Sequence, residues 1–372
     1  MSKRNTCGLG RGPVILAFLS LLSAAASAQF RQPEHAVSAQ QQSPVKPGES
    51  DRVPPDFQIG VKAPDVNIDV SVLTSEGVFI PGLKKENFRV LEDNVSQTIT
   101  SFNPMRDPIT AAILAEFTNN DSVHAFDYDS LAGSWAFAQM LRKEDRVGLF
   151  SYDMKPHVLQ DFTQDKRAIM GAISSMAQPG MAMSAQTNLR DALDETVDRL
   201  ETLEGRKYIV LVSTGLDSSS KKTREQLLRK VQSSKDIAIY CISTGQALRN
   251  YLERRGQLKA FCPMTDVGCS NLFTQANEEL TSLARASGGR CYQPQAESGF
   301  VKGFITISQT ISNQYEIAYH PTNRAQDGSF RKIKVELVDG TGRPLQLRDQ
   351  QGRAIPYQVV SREGYRAVEQ AQ

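Results

Sequence analysis

The stretch Ile109-Thr-Ala-Ala-Ile-Leu-Ala-Glu-Phe117 is nearly continuous in apolar residues. A short apolar run of this kind is typical of a strand that is buried on both faces of a parallel sheet. A polar loop with Thr118, Asn120 and Asp121 follows the run directly. The sequence therefore predicts a central strand over 109–117 whose carboxyl end opens into an oxygen-rich loop.

Strands and helices alternate on the carboxyl-terminal side of this stretch. Further buried strands are predicted over 147–152, 208–213 and 237–243, and leucines and valines recur at helical spacing over 189–203. Alternation of this kind predicts an α/β fold with a doubly wound, mostly parallel sheet. The other helices are predicted over 131–142, 222–234, 276–287 and 300–313. Residues 246–273 are predicted to form a long loop, either a partner-contacting insertion or a disulfide-tied structural loop.

The segments on either side of the α/β pattern have a period of two. Apolar and polar residues alternate from Val66 to Val72, and again over 315–319 and 333–337. Neither flank has many strands of its own. The simplest prediction is that residues 57–104 and residues 314–366 together form one small antiparallel β-sandwich. The α/β domain, residues 105–313, is then inserted into this sandwich.

The first 28 residues have the pattern of a cleavable secretory signal peptide. A basic leader precedes the apolar run Val14–Ala25, and Ala26-Ser-Ala28 supplies the small residues of a cleavage site. The alternative is an uncleaved anchor. We therefore expect an exported protein, periplasmic or secreted, with no transmembrane segment after cleavage. Residues 29–56, rich in Gln, Pro and Ser, are predicted to be a flexible leader, and 367–372 a short tail.

The charge balance argues against a nucleic-acid ligand. The chain has 43 Lys and Arg against 41 Asp and Glu, a net charge of +2. No basic stripe interleaved with aromatic residues is present, so we exclude nucleic acid as a partner.

Four cysteines follow the predicted cleavage site, and an even number in an exported chain permits disulfides. Cys262 and Cys269 bracket a short loop that a disulfide could close. Cys241 and Cys291 lie in predicted strands and could pair if those strands are neighbours. The alternative for the second pair is two buried thiols.

Three loops are expected at the carboxyl edge of the sheet, where open α/β sheets bind ligands. The first follows 109–117, the second contains Thr187, and the third contains Thr214 and Asp217. Their hydroxyls and carboxylates are oxygen ligands of the kind that Mg²⁺ prefers. The alternative is that Thr118, Thr187 and Thr214 only cap helices and turns.

These loops resemble the metal-ion-dependent adhesion site of a von Willebrand factor type A domain. Glu116-Phe-Thr118-Asn-Asn120 stands at the place of the family's Asp-x-Ser-x-Ser, and Ser213-Thr-Gly215 at that of its Ser-Asp-Gly. Phe88-Arg-Val-Leu and Arg362-Glu-Gly-Tyr365 in the flanks resemble exported bacterial VWFA-related proteins, which are abundant in acidobacteria.

The resemblance implies a site for Mg²⁺ or another divalent cation. Three of its positions depart from the family, because Glu116 replaces Asp, Asn120 replaces Ser, and Thr214 replaces Asp. We therefore expect a degenerate site with weakened affinity, since affinity depends on ligand charge and geometry. The residues that it would use are Glu116, Thr118, Asn120, Thr187, Thr214 and Asp217.

The resemblance also implies a function without catalysis. We expect a protein-binding or adhesion module that contacts a protein ligand of unknown identity through the upper face of the α/β domain. The alternative is a metal-independent structural or envelope-associated scaffold. A hydrolase is the third alternative, although the chain has no HExxH or GxSxG motif and no His in a predicted site loop.

Overall fold

A computed structural model of the chain describes residues 65–367, apart from 76, 106, 119–126, 177–185 and 235. The predicted signal peptide, the leader 29–56 and most of the tail 367–372 lie outside the described residues, and so does Asn120. Within the described part of the chain, no helix is both long enough and apolar enough to cross a membrane.

The strands fall into three groups along the chain. The first flank contributes β1 (Val66–Thr74), β2 (Phe88–Glu92), β3 (Val95–Gln97) and β4 (Ile99–Pro104). The middle contributes β5 (Ile109–Glu116), β6 (Arg146–Tyr152), β7 (Pro156–Thr163), β8 (Arg206–Ser213), β9 (Ile237–Ser243) and β10 (Cys291–Tyr292). The second flank contributes β11 (Tyr315–Tyr319), β12 (Phe330–Leu337), β13 (Leu347–Arg348), β14 (Ala354–Ile355), β15 (Tyr357–Val360) and β16 (Gly364–Arg366).

The middle group forms one six-stranded sheet in the order β10-β9-β8-β5-β6-β7. Strand β5 pairs in parallel with both β8 and β6, and only β7 runs antiparallel. All eight residues of β5 are buried. Because successive side chains point to opposite faces, Ile113 packs into one core and Leu114 into the other. The predicted α/β fold with a mostly parallel sheet is confirmed.

Helices cover both faces of this sheet. They are α1 (Asp127–Met140), α2 (Lys166–Met176), α3 (Leu189–Glu201), α4 (Arg224–Ser233), α5 (Gly245–Arg254), α6 (Leu258–Phe261), α7 (Asp266–Ser287) and α8 (Phe300–Ser312), with 3₁₀ turns at Lys85–Asn87 and Glu297–Gly299. Helix α2 was not predicted.

The prediction of a long loop over 246–273 is wrong. Helices α5, α6 and the start of α7 together occupy most of it, and α7 begins ten residues before the predicted start at 276. Helix α7 starts at its N-cap Thr265, whose hydroxyl accepts a hydrogen bond from the N–H of Gly268 at 3.1 Å. Cys269, Phe273 and Leu280 continue the buried face of α7 at helical spacing. Pro263 and Gly268 obscure that spacing in the sequence.

Strands from both flanks build the antiparallel sheets. One sheet has the order β15-β1-β11-β4 and the other β16-β12-β2-β3, while β13 and β14 form a separate pair. Ile68 and Ile317 of the first sheet share a core with Val90 and Val335 of the second. The flanks therefore pair as predicted, although the domain boundaries at 57, 105, 314 and 366 stay a prediction.

The cysteines divide into one bonded pair and one thiol pair. Cys241 and Cys291 are register partners on the parallel neighbours β9 and β10, and their sulfurs are bonded. Cys262 and Cys269 are buried free thiols, so the bridge considered for them is not formed in the structure. Burial, reinforced by the Cys262 thiol, raises the pKa of Cys269 to about 11. The Cys269 thiol therefore resists the deprotonation that disulfide formation requires.

Candidate functional site

Glu116 is the centre of the carboxyl edge of the six-stranded sheet. It ends β5, and its side chain reaches across to the end of β8. Its carboxylate accepts hydrogen bonds from the N–H of Thr214 at 2.7 Å and from the hydroxyl of Thr214 at 2.9 and 3.0 Å. The hydroxyl of Ser213 is the third donor, at 3.1 Å. Two of the loops that the sequence placed at this edge therefore meet directly.

Tyr152 extends this network to the neighbouring strand. Its hydroxyl donates to the Ser213 oxygen at 2.7 Å, and the N–H of Gly215 donates to the same oxygen at 2.8 Å. Tyr152 was not predicted to be a site residue. Its position offered a signal, because Tyr152 ends β6, the parallel neighbour of β5.

Burial dominates the electrostatics of this network. It raises the pKa of Glu116, although the hydrogen bonds from Thr214, Ser213 and Tyr152 act in the opposite direction. Burial and the nearby Glu116 carboxylate also raise the pKa of Tyr152 well above its ordinary value. Glu116 therefore holds its proton to a higher pH than an exposed glutamate does.

Thr187 fixes the third loop rather than capping a helix. Its hydroxyl donates to the carbonyl of Leu216 at 2.8 Å, and its carbonyl accepts from the N–H groups of Ser218 and Ser219 at 3.0 Å. The N-cap of α3 is the next residue, Asn188, which makes no side-chain capping bond. Thr214 does stabilise a turn as the alternative proposed, because its hydroxyl accepts from the N–H of Leu216 at 3.2 Å.

Asp217 is directed at the start of α3. Its carboxylate accepts from the hydroxyl and the N–H of Ser220 at 2.6 and 3.0 Å, and from the N–H of Arg190 at 2.9 Å. A carboxylate in this place satisfies a free amide of the first helical turn and interacts favourably with the helix dipole. Asp217 therefore connects the third loop to α3.

Arg190 joins the third loop to α7. Its guanidinium lies 3.9 Å from Asp217 and forms a two-pronged ion pair with Glu279 at 2.7 and 3.0 Å. Neither Arg190 nor Glu279 was predicted to be a site residue. They are 89 residues apart, so no local pattern relates them.

The remaining candidate ligand in the described chain is Thr118, whose hydroxyl is buried without a hydrogen-bond partner. In the described ranges, no cluster of three or more His, Cys, Asp or Glu side chains is arranged to hold a metal ion. The structure thus brings Glu116 to Thr214 and Thr187 to the third loop, while Asp217 turns towards α3.

Helix α7 contacts the third loop at the carboxyl edge. Gly215 has a φ of +78°, and a Cβ there would come within 2.7 Å of the Ala276 carbonyl. Ten residues of α7 precede Ala276, a length of about 15 Å. Residues 258–272, here called the edge protrusion, expose Met264, Val267 and Leu272, with exposed fractions of 56%, 70% and 37%. The edge protrusion is therefore an apolar surface beside the site.

The family comparison agrees with this architecture. The profile described as von Willebrand factor type A domain matches residues 118–217, which is less than half of the chain. The match runs from the loop after β5 to Asp217. The six-stranded sheet with its helices is accordingly a von Willebrand A-like α/β domain.

Solved structures resemble the chain at low identity. One is the three N-terminal domains of the type V pili tip protein Mfa5 from Porphyromonas gingivalis, at 20% identity and TM-score 0.27, with 42% of this chain and 27% of that chain covered. The PilB minor pilin from Streptococcus sanguinis matches at 12% identity and TM-score 0.38, with 56% and 63% covered. A von Willebrand factor type A protein from Catenulispora acidiphila matches at 11% identity and TM-score 0.41, with 84% and 75% covered.

The chain spans less than two thirds of the length of either pilus protein. A comparison with curated proteins found no significant match.

Proposed function

We propose that this chain is an exported, non-enzymatic protein-binding module that contacts its ligand at the carboxyl edge of the six-stranded sheet without a bound metal. One observation carries the proposal. The carboxylates of this edge are occupied by internal hydrogen bonds, while the adjacent edge protrusion exposes three large apolar side chains.

The side-chain oxygens at this edge support a function that does not need a bound metal. A hard cation needs charged oxygens with free lone pairs that converge on one point. Both oxygens of Glu116 accept hydrogen bonds, and burial raises the pKa of this carboxyl. Asp217 is engaged by Ser220 and Arg190. Thr118 and Thr187 offer only neutral hydroxyls, which are weak partners for a divalent ion.

The edge protrusion supports a protein as the ligand. Exposed apolar patches mark sites of protein contact, and Met264, Val267 and Leu272 are the large apolar side chains that this segment exposes. Methionine in particular adapts its shape to varied apolar surfaces. Arg255 lies 4.9 Å from the ring centre of Tyr251 beside the protrusion, and arginine and aromatic residues are enriched in protein interfaces.

The contacts of the serines argue against the hydrolase alternative. Ser218 and Ser219 donate to the carbonyl of Thr187, and Ser220 donates to Asp217. A nucleophilic serine needs a base within hydrogen-bond reach. The one hydrogen-bonded histidine near this edge in the described chain, His157, contacts Asp153 at 3.0 Å.

Export rests on the predicted signal peptide of residues 1–28. The bond between Cys241 and Cys291 supports it, because disulfides form and persist in oxidising compartments.

Mg²⁺ is expected to leave the thermal stability unchanged. A site with a Kd of about 0.1 mM would add about 2 kcal/mol at about 5 mM Mg²⁺. Thermal melts in MgCl₂, in MnCl₂ and in EDTA should therefore coincide within about 1 °C. A metal-dependent rise in Tm that disappears in the double variant Glu116→Ala with Thr187→Ala would contradict metal independence.

A photo-crosslinking residue at Val267 is expected to capture a specific protein. The matched control is Val95, an exposed valine of β3, which belongs to a different sheet. In an envelope extract of the source organism, the variant at 267 should give a discrete adduct that survives EDTA, and the variant at 95 should not. Identical adduct patterns, or loss of the adduct in EDTA, would refute the proposal.

A further inference from the structure

A groove of about 680 Å³ lies away from the carboxyl edge. Its wall includes Asp236, which directly precedes β9, and Ser233 and Ser234 at the end of α4. The starts of parallel strands lie at the edge opposite to their carboxyl ends, so this groove is at the amino edge of the sheet. Its volume is in the range of sites that hold small molecules or short peptide segments.

The groove has an excess of positive charge. Four arginines line it: Arg229, Arg324, Arg362 and Arg366. We call it the arginine groove. None of the four forms an ion pair with another residue in the described part of the chain, and Asp65, one of the two carboxylates of the groove, contacts the imidazole of His320. Asp236 is the other carboxylate. The groove is therefore suited to a ligand with several negative charges.

Two of these arginines have few hydrogen-bond partners for their guanidinium groups. Arg362 donates to the carbonyls of Gly364 and Gln232 at 2.8 and 3.3 Å, and burial lowers the pKa of its guanidinium. The Nε of Arg366 is buried without a hydrogen-bond partner. The Asp236 and Asp69 carboxylates offset part of the desolvation cost of Arg362 without forming an ion pair with it, and a bound anion would offset more of that cost.

Strand β16 borders the groove through Tyr365 and Arg366, and on its outer side the carbonyl of Gly364 already accepts from Arg362. It is the outermost strand of its sheet. Its inner side faces β12, because Glu363 O accepts from Ile333 N at 2.7 Å and Ala367 N donates to Ser329 O at 3.0 Å. Backbone groups alternate in direction along an antiparallel strand. The N–H and C=O of Arg366 therefore point away from β12.

Strand β1 has a second free edge in the same groove. Strand β15 covers this side of β1 only from Ser71 to Thr74. Val72 O accepts from Ile80 N on the opposite side, where β11 also lies. By the same alternation, the backbone groups of Asn67 point to the uncovered side, and Asn67 lines the groove.

We infer that the arginine groove binds an extended peptide segment with acidic side chains, which adds as a strand to one of these two edges. Main-chain hydrogen bonds to an exposed strand edge give such complexes their affinity, and side-chain contacts give specificity. Carboxylates of the bound segment would pair with the guanidinium groups, for which arginine is geometrically suited. This site is separate from the proposed carboxyl-edge surface.

Fluorescence anisotropy with the full chain tests this inference. The probe is a short labelled peptide in which Glu and Val alternate, and a Gln-Val peptide is its neutral counterpart. We expect saturable binding of the acidic peptide alone. The double variant Arg229→Gln with Arg324→Gln should weaken binding by about tenfold or more. Both side chains are exposed, so the fold should be unaffected.

Two controls separate strand addition from general attraction of anions. Arg343→Gln with Arg348→Gln removes the same charge from exposed positions outside the groove and should leave binding unchanged. Two peptides N-methylated at alternate positions, in opposite phase, should differ, because only one phase removes the inward N–H groups. Any one of four results would overturn the inference. They are the absence of saturable binding, equal losses of affinity in the two double variants, equal affinity of both N-methylated peptides, and equal binding of a sulfated polysaccharide.

Discussion

Replacing Glu116 by alanine is expected to lower the free energy of unfolding by about 3–5 kcal/mol. The change leaves three buried donors without an acceptor: the N–H and hydroxyl of Thr214 and the hydroxyl of Ser213. Each buried unpaired donor costs about 1–3 kcal/mol. Chemical denaturation monitored by circular dichroism measures the loss.

The variant Glu116→Gln is the matched control for this prediction. Its amide oxygen can still accept from Thr214, so we expect a loss of less than about 1.5 kcal/mol. A loss for alanine as small as that for glutamine would show that the network contributes little.

The difference in stability between wild type and Glu116→Gln is expected to change with pH in one direction. The folded-state pKa of Glu116 is raised above its ordinary value of 4.5, so the native state binds the proton more tightly than the unfolded state. The stability that this provides is fully present below pH 4.5 and is lost as the pH rises through the folded pKa. The free energy of wild type minus that of Glu116→Gln should therefore fall as the pH rises from about 4 to 7. A difference that grows with pH would contradict the raised pKa.

Replacing Arg190 by methionine is expected to destabilise the protein by about 2–4 kcal/mol. The Glu279 side chain is 7% exposed and would lose its partner in a buried place. Asp217, whose side chain is 2% exposed, would lose the nearby guanidinium as well. Removing one member of a buried ion pair is costly because the other charge remains without compensation.

A double-mutant cycle isolates this effect. Arg190→Met with Glu279→Leu should recover at least half of the lost stability, because an apolar pair replaces the ion pair. The control is Arg249→Met, which removes a more exposed ion pair with Glu253 and should cost less than about 1 kcal/mol. Simple additivity of the two single changes at Arg190 and Glu279 would show that the pair is not coupled.

The hydrophobic periodicity of the sequence predicted the strand and the helix that neighbour the site. It did not predict the helices in one region beside the site. The apolar run of β5 and the leucines of α3 gave positions close to the observed ones. Residues 246–273 were predicted as a loop, and Pro263 and Gly268 interrupt the helical spacing there. The cap at Thr265 nevertheless starts α7, and burial of Cys269 and Phe273 against the main core continues it. Tertiary packing overrode the local signals.

The candidate site was likewise predicted only in part from the sequence. The sequence placed Glu116, Thr187, Thr214 and Asp217 on loops at one edge, since β5 and β8 both end there. It could not say where each side chain points. Tyr152 and Arg190 entered the site only through contacts between strands and helices distant in the chain.

The sequence by itself determined the fold class, because the periods of two and 3.6 and the continuous apolar runs are local properties of the chain. It also determined which loops lie at the carboxyl edge, because parallel strands align their ends. Only the tertiary structure decided how the oxygens of those loops are used. Glu116 turns to Thr214 and Asp217 turns to α3, since each buried carboxylate must find donors and the nearest donors belong to neighbouring elements.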